Sequence, residues 1–190
     1  MSTLFPHLHA TIAAQRLYSS AKNDFELWQT LKANGVNLDL VTNLAGPIVR
    51  TVVTFLHDGR YETDSFGEIA WAMAVHDEDA ETVIDLVACS TRDVATFGTL
   101  FGAGLLGLDV LMNPASYRNG PCCIYSNPLA WLRADCAGAV VLDNAKAKAA
   151  LLAAPGPLTA DTLYLAECLT QTGMIPASRL LVPSKWRNAA

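Results

Sequence analysis

The chain begins with segments whose apolar residues repeat at helical spacing. Over residues 8–19 the apolar positions fall on one face of an amphipathic helix. A second helix follows, capped by Asn23 or Asp24 and stopped at Gly35, a residue that ends helices in a left-handed conformation. Because the link between these two helices is short, the sequence predicts an N-terminal helical hairpin.

The next segments are dense in β-branched and aromatic residues, a composition typical of strands. Three such runs occupy residues 48–56, 68–75 and 82–88. Polar turn segments over 57–59 and 76–80 separate them. Consecutive strands with short turns predict an antiparallel meander.

A change of pattern follows the meander. Residues 91–107 are predicted to form a helix capped by Thr91 or Asp93, although its glycines weaken it. Residues 122–125 predict a short strand. The stretch NPLAWLRADCAGAVVLD over 127–143 then predicts a helix followed by a buried strand.

The last third of the chain alternates between helix and strand. A helix is predicted over 144–153, another from Thr159 or Asp161 to Thr172, and a final short strand over 179–182.

Together these elements predict an α+β (or α/β) fold, with a mixed β-sheet that contains the meander and is packed by helices. One domain is expected over 1–190, with a helical part over 1–46, a sheet-containing core over 47–183 and a tail over 184–190.

Charge and composition narrow the classes of function. The chain has 190 residues, 52% of them hydrophobic and 16% charged, with a net charge of −5. Because affinity for nucleic acid depends on clustered Lys and Arg, this balance argues against nucleic acid as a partner. The one local basic cluster lies in the tail at Lys185 and Arg187, and it leaves nucleic-acid binding open as a third hypothesis.

Cysteine usage and hydropathy suggest a compartment. The five cysteines contain no CxxC pair and lie mostly in apolar runs, which favours free thiols in a reducing cytoplasm. The N-terminus lacks the features of a secretory signal, and no apolar run reaches the length of a membrane span. We therefore expect a soluble cytoplasmic protein with no membrane partner.

Glycines at 102, 104 and 107 match the GxGxxG pattern of dinucleotide-binding folds. There the glycines allow the backbone to approach a pyrophosphate at a helix N-terminus. Here no strand directly precedes Gly102 and no long helix follows Gly107. Close helix packing or a helix end is therefore favoured, with Gly102, Gly104 and Gly107 kept as candidate nucleotide-binding residues; no cofactor is predicted.

Two His-Asp pairs resemble the HD signature of metal phosphohydrolases. They are His57-Asp58 and His76-Asp77, and both fall in predicted turns, where His and Asp are common. No third and fourth ligand stands at a recognisable spacing. No metal is predicted, and these four residues are kept as candidate ligands.

A nucleophile set of Cys89, His76 and Asp85 is also conceivable, but sequence proximity does not establish its geometry. Cys89 is expected in the core. Asp85, a carboxylate within an apolar strand, is expected to face solvent.

Trp131, Arg133 and Asp135 lie on the predicted helix of the 127–143 stretch. An exposed Trp beside Arg would suit an interaction site, because both residues are favoured at binding hot spots. The alternative, which we favour, is that Trp131 anchors the helix to the sheet.

The phrases ETVIDLVACS at 81–90 and NPLAWLRADCAGAVVLD at 127–143 resemble segments of uncharacterised proteins carried by proteobacterial phages and mobile elements. The resemblance covers mainly residues 48–143 and contains no catalytic residues. It implies a cytoplasmic phage or mobile-element setting and no particular activity.

No coherent catalytic set emerges from the sequence. We therefore expect a non-enzymatic binding or regulatory protein that acts through a protein interface, with a protein partner or self-association. The alternative hypothesis is an enzyme on nucleotide or phosphoester substrates that uses the 102–107 glycines or the His-Asp turns.

Overall fold

The computed structural model describes residues 6–20 and 24–181, which form helices and strands of a mixed α+β class, as predicted. The tail over 184–190, with its basic cluster, lies outside the described residues. In chain order the elements are α1 (Pro6–Ser20), α2 (Phe25–Ala33), α3 (Leu38–Ala45), β1 (Val49–Phe55), β2 (Tyr61–Thr63), β3 (Glu68–His76), β4 (Val83–Ser90), β5 (Phe97–Thr99), β6 (Leu105–Leu106), α4 (Leu108–Met112), β7 (Cys122–Tyr125), α5 (Pro128–Arg133), β8 (Ala139–Val141), α6 (Asn144–Ala153), β9 (Leu158–Ala160) and α7 (Leu163–Gln171).

The predicted meander forms an antiparallel sheet of its own, with the strand order β2-β1-β3-β4-β5. Side chains alternate between its two faces, as the pleat of a strand requires. Ala70 and Ala72 contribute to a cluster with Ala14 of α1. Trp71 and Met73 contribute to a cluster on the other face, together with residues of α2 and α3. Both faces of β3 are therefore buried.

Helices α1 and α2 pack against opposite faces of this sheet. Leu17 and Tyr18 of α1 lie against the alanine-rich face, where the backbone N–H of Ala74 donates to the Tyr18 hydroxyl at 3.1 Å. Leu27 and Leu31 of α2 lie in the cluster on the other face. The two helices therefore enclose the sheet and do not lie side by side as a hairpin.

The second sheet is mixed, with the strand order β6-β8-β7-β9. Strands β7, β8 and β9 are parallel, and β6 runs antiparallel to β8. Helix α5 connects β7 to β8, and helix α6 connects β8 to β9. Such helical crossovers are the usual connection between parallel strands.

The two sheets share one hydrophobic core. Leu106, Trp131 and Val140 from the second sheet and its helix join Trp71 and Met73 of the first sheet in a single buried cluster. Burial of this apolar surface is the main force that holds the two sheets together.

The first sheet curls so that its β1–β2 turn reaches the far edge strand. The backbone N–H of Thr99 in β5 donates to the carbonyl of Gly59 at 3.1 Å, and Arg60 forms an isolated bridge with Thr99. Gly98 suits this approach, because an added Cβ would lie 3.0 Å from the Arg60 backbone, a tight contact.

Two predicted elements differ from the structure. The helix predicted over 91–107 is wrong: this segment holds β5, a loop and β6. Strand β9 lies where a helix was expected to begin, and α7 starts at Leu163, with the Thr162 side chain accepting from Leu165 N–H. These three strands, β5, β6 and β9, are stabilised by pairing with other strands, and a local sequence pattern does not contain that pairing.

No helix in the described part of the chain is long and apolar enough to cross a membrane. All five cysteines are free thiols.

Candidate functional site

Several polar residues lie at the end of the second sheet where its parallel strands have their carboxyl ends. In open α/β sheets, ligands bind outside the carboxyl ends of the strands, at the point where the chain switches direction across the sheet. Here the chain leaves β7 for β8 on one side and then crosses to β9 on the other side of β7. The switch point therefore lies between β7 and β9. The residues that follow these two strands are Ser126 and Asp161.

Asp161 and Ser126 are joined directly at the switch point. Oδ2 of Asp161 accepts hydrogen bonds from the Ser126 backbone N–H at 3.0 Å and from the Ser126 hydroxyl at 2.8 Å. The Asp161 N–H donates to the carbonyl of Ile124 at 3.0 Å, which fixes its backbone against β7. Oδ1 of Asp161 is buried and has no hydrogen-bond partner within the described residues. A buried carboxylate oxygen without a partner is costly, which makes Oδ1 the unsatisfied acceptor at the switch point.

A polar cleft of about 520 Å³ opens beside the carboxyl end of β8, and we call it the glycine cleft. One wall is the β1–β2 turn, with Asp58 and Arg60. The other walls are Phe101 and Gly102 in the loop after β5, and the beginning of α6 up to Lys146.

Asp85 fixes the loop that carries Phe101 and Gly102. Its Oδ1 accepts from the backbone N–H groups of Leu86, Leu100 and Phe101 at 2.7, 3.0 and 2.9 Å, and its Oδ2 accepts from that of Ala103 at 2.6 Å. The side chain is fully buried, so the prediction that Asp85 faces solvent is wrong. Burial raises the pKa of this carboxyl, and the four N–H donors oppose that rise.

The predicted glycine motif packs the loop against α6. A Cβ at Gly104 would lie 2.9 Å from backbone atoms of Lys146 and Ala147, and the Gly104 carbonyl accepts from the backbone N–H groups of Leu142 and Asp143 at 2.9 and 3.1 Å. The side-chain amine of Lys146 donates to the carbonyl of Gly102. This arrangement matches the helix-packing interpretation, and it also brings Gly102 to the wall of the cleft. Gly107 lies outside the cleft, on the far side of β6.

Two cations and two carboxylates line the glycine cleft. The guanidinium of Arg60 lies 2.7 Å from the Asp58 carboxylate, and Arg60 lowers the pKa of Asp58 by side-chain and backbone hydrogen bonds. Asp143 caps α6 by accepting from Ala145 N–H at 2.8 Å. Both carboxylates are therefore engaged within the protein. Phe101 adds an aromatic ring that is 45% exposed.

The two predicted His-Asp pairs separate in the fold. His57 and Asp58 lie in the β1–β2 turn, and Asp58 lines the glycine cleft. His76 is the last residue of β3 and lines a different cavity; Asp77 follows it. Among the described residues, no group of three His, Cys, Asp or Glu side chains is placed to hold a metal ion.

The hypothetical set of Cys89, His76 and Asp85 has no activated nucleophile. Cys89 is buried, as expected, and burial raises its pKa well above the ordinary value, which disfavours the reactive thiolate. Both Asp85 oxygens already accept backbone N–H groups.

Trp131, Arg133 and Asp135 do not form one surface. Trp131 is buried, and its indole Nε1 donates to the Gly138 carbonyl at 2.9 Å, in agreement with the anchoring interpretation. Arg133 reaches back to Asn34, donating to its backbone carbonyl and to its side-chain oxygen at 2.9 Å. Asp135 follows the helix with a positive φ of 54° and lines the same cavity as His76.

Sequence reasoning missed most of the residues that line the glycine cleft or lie at the switch point. Arg60 and Phe101 were not singled out, nor were Lys146 and Ser126. Asp161 was considered only as a helix cap. The available signal was that Ser126 and Asp161 each follow a short strand, but recognising β9 required its pairing with β7.

Comparisons with known proteins show a fold likeness. No protein-family profile matches the chain. No curated protein matches it significantly by sequence. Among solved structures, it is similar to the crystal structure of the Aquifex aeolicus primase (zinc-binding and RNA polymerase domains), with a TM-score of 0.57 and 11% identity. The match covers 82% of this chain and 47% of that one, so the chain spans about half the length of the primase structure.

This likeness corrects two expectations from the sequence. The prediction of a non-enzymatic protein acting through a protein interface is wrong, because the fold is similar to about half of a crystallised primase chain. The prediction of a protein or self-association partner, with nucleic acid disfavoured, is wrong for the same reason.

Proposed function

We propose that this chain binds nucleic acid and holds the phosphate backbone of a strand in the glycine cleft, as part of a protein that acts on nucleotides or phosphoesters. One observation carries the proposal: the fold brings Arg60 and Lys146 together beside the exposed ring of Phe101, at the carboxyl edge of β8. This edge is where ligands bind in sheets of this kind. The likeness to a primase supports the same substrate class.

Two kinds of contact are available in the cleft. The side chains of Arg60 and Lys146 supply N–H donors to phosphate oxygens, and hydrogen bonds between charged groups are stronger than neutral ones. Phe101 offers a face on which a base can stack, an interaction that tolerates any sequence. A phosphate that binds Arg60 competes with Asp58, which pairs with Arg60 at 2.7 Å, whereas Asp143 accepts from the first N–H groups of α6.

Binding of a fluorescein-labelled single-stranded oligonucleotide, followed by fluorescence anisotropy, tests the proposal. The double variant Arg60→Gln/Lys146→Gln is expected to bind at least about tenfold more weakly, because it loses two charge-assisted contacts. Lys148→Gln is the matched control: Lys148 lies on the same helix, α6, and its amine faces Gly173, away from the cleft. Absence of binding by the wild type, or equal loss in the control, would reject the proposal.

A second candidate function, phosphoester chemistry at the switch point, is favoured by the unpartnered Oδ1 of Asp161. Mg²⁺ is commonly bound through one or two carboxylates together with substrate phosphates and water, a role that one free carboxylate oxygen fits. Asp161 would then hold the ion at the carboxyl ends of β7 and β9, next to Ser126.

This chemistry is tested by incubating the protein with a labelled strand, nucleoside triphosphates and Mg²⁺. Cleavage, extension or phosphate release is expected to disappear in Asp161→Asn and to persist in Glu167→Gln on α7, whose side chain is exposed. If the wild type forms no product while the oligonucleotide still binds, phosphoester chemistry is rejected and the binding function stands.

The expected cellular setting is also a proposal. Five free cysteines are compatible with a reducing cytoplasm, where the nucleic acid of a phage or mobile element would be encountered.

A further inference from the structure

The chain contains the dipeptide Asn-Gly twice, at 34–35 and at 119–120. In this dipeptide the glycine backbone nitrogen can attack the side-chain amide carbon of the asparagine, a reaction that needs no enzyme. Glycine favours the attack, because it has no side chain to shield its nitrogen and its backbone rotates freely. Ring closure also needs a free amide and a mobile backbone, so the local structure decides which of the two pairs reacts.

Asn119 lies in the exposed loop that leads into β7. Within the described residues its side chain has no hydrogen bond. The Gly120 N–H reaches the carbonyl of Tyr117 only at 3.4 Å, a long hydrogen bond. Gly120 is exposed too, and a Cβ built on it would meet no atom within 4 Å. The nitrogen and the amide can therefore approach each other after a local rotation of the backbone.

Asn34, by contrast, is held at the end of α2. Its side-chain nitrogen donates to the Thr30 carbonyl at 2.9 Å, and its side-chain oxygen accepts from the guanidinium of Arg133 at 2.9 Å. The Gly35 N–H donates to the Lys32 carbonyl at 2.9 Å. The Asn34 ψ of 8° turns the Gly35 nitrogen away from the side chain. Ring closure at this pair would have to rotate the backbone and break these hydrogen bonds.

We propose that Asn119 is a site of spontaneous deamidation in the folded protein, whereas Asn34 is protected. The Gly120 nitrogen forms a bond to Cγ of Asn119 and gives up its proton. The bond between Cγ and Nδ2 breaks, and the side-chain nitrogen takes up a proton and leaves as ammonia. Water then opens the resulting succinimide ring at either carbonyl, which gives aspartate or isoaspartate.

Either product places a new carboxylate at the amino end of β7. The glycine cleft and the switch point lie at the carboxyl ends of the parallel strands. The modification is therefore independent of the proposed nucleic-acid binding.

Incubation of the full chain at mildly alkaline pH, followed by digestion with a protease that cleaves before aspartate, tests the proposal. Residues 109–134 and 24–38 then form separate peptides, which carry Asn119 and Asn34. In mass spectra, new cleavage before residue 119 reports aspartate, and the mass gain of deamidation without that cleavage reports isoaspartate. Asn34 is expected to convert at least about tenfold more slowly than Asn119, because its charge-assisted bond with Arg133 must break first. Equal rates at the two sites, or no conversion of Asn119, would overturn the proposal.

Unfolding and a variant separate the effect of structure from that of sequence. In denaturant the two pairs should react at similar rates, with a large acceleration at Asn34 alone. Arg133→Gln removes the guanidinium donor and should accelerate Asn34 severalfold in the folded protein without changing Asn119. Arg92→Gln, at an exposed position, is the control and should change neither rate. If Asn34 reacts as slowly in denaturant as in the folded protein, the proposed protection is wrong; this comparison also decides the result if Arg133→Gln does not fold.

Discussion

The Oδ2 atom of Asp85 accepts a hydrogen bond of 2.6 Å from the backbone N–H of Ala103, which joins a buried strand of the first sheet to the loop that lines the glycine cleft. Three further N–H groups donate to Oδ1 of the same carboxylate. The position of Phe101 and Gly102 therefore depends on a residue that does not line the cleft.

Asp85→Asn is expected to destabilise the protein by about 3 kcal/mol, because an amide replaces one charged acceptor and leaves buried N–H groups unpaired. Chemical denaturation measures this change. Glu62→Gln on the exposed edge strand β2 is the control and should change stability little. Equal stability of Asp85→Asn and wild type would show that these hydrogen bonds do not hold the loop.

Gly107 lies against the backbone of Gly138, close to the indole nitrogen of Trp131. A Cβ at Gly107 would lie 2.3 Å from the carbonyl oxygen of Gly138, the same oxygen that accepts from the Trp131 indole. Gly107→Ala is therefore expected to lower the free energy of unfolding by more than about 3 kcal/mol. The loss combines a clash with the Gly138 backbone and the cost of a left-handed conformation for alanine.

Gly35→Ala is the matched control for this substitution. Gly35 has nearly the same φ, 80° against 79°, and no atom within 4 Å of an added Cβ. Gly35→Ala should lower the free energy of unfolding by only about 1 kcal/mol, because alanine meets only the cost of the left-handed conformation there. Similar losses in the two variants, measured by thermal or chemical denaturation, would contradict the close contact at Gly107.

Stability is expected to fall with acidification partly through His76. Because burial lowers its pKa, the unfolded state binds a proton at a higher pH than the native state does. The contribution of neutral His76 to the free energy of unfolding is fully present above pH 6.5, the pKa of histidine in the unfolded chain. It is lost as the pH falls through the lower pKa of the folded state.

His76→Gln should therefore show a shallower loss of unfolding free energy between about pH 7.5 and about pH 5 than the wild type does. His57→Gln, at an exposed turn position, should follow the wild-type profile. Identical profiles for wild type and His76→Gln would contradict the burial of a neutral imidazole.

The salt dependence of oligonucleotide binding should report the number of phosphate contacts. Two cations in the glycine cleft predict a slope of log affinity against log salt of about −1.4 for a single strand. In the variant Lys146→Gln the slope should fall to about −0.7. A slope several times steeper would place the main phosphate contacts elsewhere on the chain.

The local sequence pattern was sufficient to predict the elements whose conformation is determined by their own residues. The dense apolar runs of β3 and β4 and the Asp143-capped helix α6 were predicted close to their observed bounds. The anchoring role of Trp131 also followed from its place on an apolar helix face. In these elements, side-chain period and capping agree with the tertiary environment.

Local pattern failed where a distant partner decides the conformation. A helix was predicted over 91–107, but the Asp85 carboxylate accepts from three backbone N–H groups of this segment, and β5 pairs with β4. The glycine cleft was missed for a similar reason. The 57–59 turn and Gly102 were both noticed, but their approach depends on the bond between Thr99 and Gly59 across the curled sheet.

Ultraviolet crosslinking of a bound single strand, with the crosslinked peptide identified by mass spectrometry, tests the central claim most directly. A strand held in the glycine cleft places a base on Phe101, so the peptide that contains Phe101 should carry the nucleotide. Phe66 is an internal control, since it is 98% exposed and is not among the residues of the cleft. Crosslinking at Phe101, lost in Arg60→Gln/Lys146→Gln, is the predicted result; crosslinking at Phe66 with none at Phe101 would contradict binding in the glycine cleft.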